Sequence, residues 1–241
     1  MPFPGSPEHI ASINLPNENQ HQTVKFFTIK EQATWFHSFK PVISLPVILE
    51  STMFNEKKAA QIAAWFLHQA GGVMSHLKLM KLMYLADRES MRSHGFPMTG
   101  DHFVSMPHGP VLSNTLSHIN DEAPSACDGW NSWISDKANH EVALVIGVDM
   151  DALDYLSRAD LQILKSSWEK FGHMTKFQIR DYTHDAKNCP EWKDPKGSSY
   201  PIHYRTVFEA LGFPKELSAN MAAEIQSHNF VSQALHAPIS A

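Results

Sequence analysis

Apolar and polar residues sort into helical periods along most of the chain from residue 55 onward. Ala59, Ile62, Ala63 and Phe66 recur at spacings of three and four, behind Asn55 as a capping residue, and Gly71-Gly72 stops that run. Ser75 is placed to cap a second helix over residues 76–94, closed by His94-Gly95. Its apolar positions form two rows, Leu77, Met80, Tyr84 and Met91 beside Leu79, Leu82, Met83 and Ala86. A helix apolar around that much of its circumference belongs at the centre of a domain.

The period then changes. Residues 102–106 alternate as a short strand between Gly100 and Pro107, which ends it, and Gly109-Pro110 redirects the chain. A short helix follows from Ser113. The β-branched run Glu141 to Val148 is the clearest strand, and 102–106 is its expected antiparallel partner. Two capping boxes, Ser157 with Asp160 and Thr175 with Gln178, open helices carrying Leu161, Leu164, Trp168 and Phe171, then Phe177, Ile179 and Tyr182. Residues 188–201 read as a Pro/Gly/Ser loop around Trp192. A helix near 203–211 stops at Gly212, and Leu217, Met221 and Ile225 mark a last amphipathic stretch.

The expected fold class is therefore mainly α with a small antiparallel β-sheet (α+β), a single helical domain with an N-terminal extension. The divisions are 1–52, the extension; 53–214, the domain; and 215–241, a C-terminal helical tail. Residues 1–23 lack any period and read as disordered. Residues 24–50 are more apolar but broken by Pro41 and Pro46, and fit either a strand or a helix. Regular patterning begins at Met53, which makes that residue an alternative natural start.

Composition narrows the function. Of 241 residues 43% are hydrophobic and 19% charged, enough to build a real core. The net charge of −5 disfavours a general nucleic-acid binder. Two cysteines, Cys127 and Cys189, stand far apart in no paired motif, so a reducing cytoplasm is the simplest compartment. No stretch approaches the roughly 18 apolar residues a membrane span needs.

Candidate chemistry is sparse. The 15 histidines form no HExxH and have no cysteines at zinc spacing. There is no GxSxG, P-loop or GxGxxG. These patterns point to no metal, no cofactor, no catalytic residue and a protein that is not an enzyme. One polar pattern stands out: Lys78, Lys81, Arg88 and Arg92 fall nearly on one stripe of the second helix. It reads either as a solvated edge or as a surface for an acidic partner or a phosphate backbone. Asp87, on the same helix beside the apolar row, needs a cation or backbone donors if buried, and anchoring the following turn is its expected use.

Taken together, residues 77–113 resemble a known family. The run Lys78-Leu79-Met80-Lys81-Leu82-Met83-Tyr84-Leu85-Ala86-Asp87, then Thr99-Gly100-Asp101-His102-Phe103, then Pro107-His108-Gly109-Pro110-Val111 are similar, in order and spacing, to the motifs of the Panacea, or SocA-like, antitoxin domain. The looser likeness spans about residues 54 to 214. The resemblance implies an antitoxin of a bacterial or phage type II toxin–antitoxin pair, binding a cognate toxin encoded by an adjacent gene, with delivery of the toxin to a protease as a further role. It implies no catalytic residue. It carries over Lys78, Lys81, Tyr84, Asp87, Gly100, Asp101, Pro107, Gly109 and Pro110 as a structural signature, near the toxin-binding face. A DNA-binding regulator of its own operon is the alternative from the cationic stripe, and an enzyme using the histidines is a third reading.

Overall fold

Asn55 opens the first helix by accepting from the Lys58 N–H at 3.0 Å. A computed structural model of the protein describes residues 54–135, 138–145 and 150–236, with the backbone alone at 150 and 229–236. The expectations for residues 1–53 and for the end of the 141–148 run lie outside the described residues. Everything described belongs to one unit, Ile48–Ala241.

Helix α1, Glu56–Gln69, is buried continuously from Ala59 to Leu67. Gly71 and Gly72 follow at φ +81° and +99° and turn the chain into strand β1, Val73–Ser75. Helix α2, His76–His94, begins at once and is closed by Gly95 in the left-handed conformation. Every residue from Leu79 to Asp87 is buried. That is the mark of a central helix, packed here against α1, the helices over residues 158–171 and 176–184, and the strand over residues 109–112. Ser75 stands at the N-terminus of α2, but its hydroxyl makes no capping bond, correcting the expected cap. The residue is the last of a strand, and that backbone path holds its side chain away from the helix N–H groups.

Strands β2, Phe103–Met106, and β3, Gly109–Leu112, form a hairpin around Pro107-His108. Gly109-Pro110 is thus the start of a strand, not a redirecting turn. The register explains why a proline is tolerated. Met106 faces Gly109 across a two-residue turn, and Ser113 N–H donates to His102 at 2.8 Å. The alternating pairs that exchange hydrogen bonds therefore exclude Pro110, whose missing N–H lies on the outer edge of β3.

On the other side of β2 lies β5, Tyr200–Ile202, which gives the order β3-β2-β5. This strand begins within the stretch expected to be loop, 188–201. With both edges of β2 occupied, the strand expected to join it goes elsewhere. β4, Glu141–Ala143, pairs antiparallel with β1, Met74 opposite Val142, both side chains buried.

The remaining helices are α3, Ser113–Ile119; α4, Trp130–Trp133; α5, Arg158–Phe171; α6, Lys176–His184; α7, Tyr204–Ala210; and α8, Lys215–His236. The described fold is mainly helical with small antiparallel sheets. Both capping boxes form, at Ser157 with Asp160 and Thr175 with Gln178. α8 lies against α7 and buries Ala222 and Ile225.

Candidate functional site

The signature residues meet around α2. Asp87, with no exposed surface, turns its carboxylate onto the segment after the helix: Met98 N–H donates at 2.9 Å, Thr99 N–H at 3.1 Å, and the Thr99 hydroxyl also donates to it. Burial pushes the Asp87 carboxyl up to about 7, against the pull of those donors. Thr99 also accepts from Asp101 N–H at 3.1 Å, and Gly100 between them sits at φ +66°.

Asp101 caps a helix that starts a dozen residues later. Its two oxygens accept from the N–H groups of His102, Asn114 and Thr115 at 2.7, 2.8 and 2.8 Å, from the Asn114 amide at 3.0 Å and from the Thr115 hydroxyl at 2.8 Å. Burial raises its pKa, and the backbone donors oppose the rise. Its carbonyl accepts from the Tyr204 hydroxyl at 2.7 Å and so ties α7 to the same point. One short motif thereby fixes α2, α3 and α7 together.

Lys81 is fully buried and donates to the Pro110 carbonyl at 2.6 Å. That carbonyl is on the outer edge of β3, the same edge on which Leu112 N–H meets the Met80 sulfur at 3.3 Å. Burial lowers the Lys81 pKa to about 7. Gly109, at φ +95°, lets β3 approach α6. A Cβ there would stand 2.8 Å from Thr183 Oγ1 and 3.0 Å from the His184 ring.

Tyr84 and Arg88 share a partner that sequence reasoning missed. Glu191, its side chain wholly buried, accepts from the Tyr84 hydroxyl at 2.6 Å and from Arg88 Nε at 2.6 Å. Nothing local marks Glu191, because it lies 107 residues beyond Tyr84 in a loop. The neighbouring Trp192 stacks on His184, with ring centroids 4.3 Å apart, and donates to the Met106 carbonyl at 3.1 Å.

The cationic stripe is thus largely consumed inside the molecule. Lys78 donates to the Gly172 carbonyl at 2.7 Å and lies over the Trp168 ring, Lys81 is buried, and Arg88 is held by Glu191. Only Arg92 presents a mostly exposed head, paired with Glu89. The spacing is helical as read, but neighbouring elements cover that side of α2. As an open surface for phosphates or acidic side chains the stripe reduces to Arg92.

An open groove lies at the opposite end of α2. It encloses about 410 Å³ between Ser75, His76 and Leu77, the hairpin residue His108, His140 ahead of β4, and Lys176 and Phe177 at the start of α6. Its lining is almost entirely carbon, rimmed by imidazoles and one ammonium. Among the described residues, no group of His, Cys, Asp and Glu side chains is placed to hold a metal ion, and no helix is long and apolar enough to cross a membrane.

Comparison with known proteins finds a match to the family described as antitoxin SocA-like, Panacea domain, over residues 79–193. No curated protein and no solved structure matches the chain. The matched span contains Lys81, Tyr84, Asp87, Gly100, Asp101, Pro107, Gly109 and Pro110, and Glu191 near its end. Lys78 precedes it by one residue.

Proposed function

The chain carries a SocA-like antitoxin domain over residues 79–193, and from that premise we propose that it neutralises a cognate toxin protein by binding it directly, without catalysing a reaction. The family match is the observation that carries this reading. The geometry supports it in a second way. The signature side chains of Lys81, Tyr84, Asp87 and Asp101 turn inward and hold α2, the β2-β3 hairpin, α3 and the 189–193 loop in one arrangement, so they act as framework. A rigid framework leaves the outer surface available for a partner at little ordering cost.

Co-expression is the test. The product of the adjacent gene, expressed alone, should arrest growth, and expression of this chain with it should restore growth and yield a stable complex on purification. A toxic neighbour that is neither rescued nor bound would refute the proposal. Rescue in which the toxin disappears from cells, and persists when a protease is deleted, would assign the adaptor role as well.

A further inference from the structure

The groove at the start of α2 has an unusual composition for the surface of an acidic protein. Phe177 is 54% exposed, and its ring is flanked by Lys176 Nζ at 5.3 Å and Arg180 Cζ at 5.2 Å from the centroid. His76 and His140 stack across the groove at 5.8 Å, joined by a 2.8 Å contact from His76 Nδ1 to the His140 carbonyl. His108 adds a third imidazole. The lining contains no carboxylate, although the chain as a whole carries a net charge of −5. Two acids stand near the groove: Glu141, opposite Ser75 in the strand register, and Asp181, whose carboxylate accepts from Arg180 at 2.6 Å.

Two further observations extend the surface. The buried Ser75 hydroxyl has no hydrogen-bond partner and stands beside the groove. Strand alternation places Val73, two residues before Ser75, on the same outward face of β1. Val73 is 50% exposed and Val145, just past β4, is 53% exposed. Exposed apolar side chains thus stand on the β1-β4 ribbon as well as at Phe177.

We propose that this groove is the surface that receives the toxin, and that it takes an acidic–apolar segment: an apolar side chain against Leu77 and Phe177, with flanking carboxylates facing Lys176 and the imidazoles. The assignment rests on the antitoxin reading. Charge complementarity selects the partner's chemistry, since a basic segment would meet the Lys176 ammonium, while Asp181 is already paired with Arg180. The positive end of the α2 dipole points the same way.

The probe is the purified product of the adjacent gene. The double variant Lys176→Glu/Phe177→Asp should weaken its binding at least tenfold and abolish growth rescue. Phe96→Asp, past the far end of α2, should bind as the wild type does; a helix of this length separates the two sites by roughly 28 Å. The double variant should keep the wild-type melting temperature, because both side chains are exposed and the Thr175 capping box does not use them. A photo-cross-linking p-benzoylphenylalanine in place of Phe177 should capture the toxin, and one in place of Phe96 should not.

A double variant that binds and rescues like wild type, with no cross-link from position 177, overturns the groove while leaving the antitoxin reading standing. Wild-type protein that neither binds nor rescues overturns both.

Discussion

Lys81, in the second turn of the central helix, donates to the backbone carbonyl of Pro110 at 2.6 Å with no exposed surface of its own. A helix residue and a strand-edge carbonyl thus meet where neither has water. The lysine is partnered but has no carboxylate beside it, and that combination sets its response to pH.

Burial lowers the Lys81 pKa from 10.5 to about 7. A cation with a depressed folded pKa contributes stability that is full above its unfolded value and is lost as pH falls through the folded one. Lys81→Met, which keeps the volume and removes the charge, loses one hydrogen bond worth about 1 kcal/mol. It should therefore be less stable than wild type above about pH 10.5, and wild type should lose ground to it as pH falls from 10.5 to about 7. Urea unfolding of both proteins across that range checks it; a constant difference would mean Lys81 stays charged or neutral throughout.

Asp87 works in the other direction. Its carboxyl is raised from 3.8 to about 7, so its contribution is complete below 3.8 and is lost as pH rises through about 7. Asp87→Asn removes that dependence, and wild type should lose ground to it steadily between about pH 4 and about pH 7. Asp87→Ala leaves the Met98 and Thr99 N–H groups and the Thr99 hydroxyl unpartnered, and should cost about 3 kcal/mol. Chemical denaturation of the three proteins in one pH series separates the charge from the hydrogen bonds.

Gly109 and Gly71 separate backbone strain from lack of space. Both have positive φ, +95° and +81°, but a Cβ on Gly109 meets Thr183 and His184, and one on Gly71 meets nothing within 4 Å. Gly71→Ala should cost about 1 kcal/mol, the left-handed penalty alone. Gly109→Ala should cost about 3 kcal/mol, because β3 must also move away from α6. Equal losses in thermal unfolding would show that the hairpin can shift freely, against the tight approach seen here.

The sequence was most legible where the cause is local. Asn55, Ser157 and Thr175 cap helices because a side chain two or three residues from an N–H can reach it, whatever the rest of the chain does. The central position of α2 follows from its two apolar rows. The run at 141–148 was legible as a strand but not in its pairing, because any short β-branched segment can lie beside several others. Here β3 and β5 occupy both edges of β2, and the run pairs with β1 instead.

Lys78, Lys81 and Arg88 show the same limit at single side chains. Periodicity places them on one side of a helix, but whether that side meets water depends on β3, on Gly172 at the end of α5 and on Glu191, all distant in the chain. The groove assembles in the same way, from four segments that no single stretch of sequence joins.

By itself, then, the sequence determined the longer helices, the caps at Asn55, Ser157 and Thr175, and the ordered motifs that match a SocA-like antitoxin domain, because periodicity, capping and turn chemistry act over a few residues. The tertiary structure alone decided that Lys81 lies in the core, that Glu191 joins Tyr84 and Arg88, and that an apolar groove with a basic rim opens beside Phe177. Burial and pairing are set by which distant segments close over a side chain, and no local pattern encodes that choice.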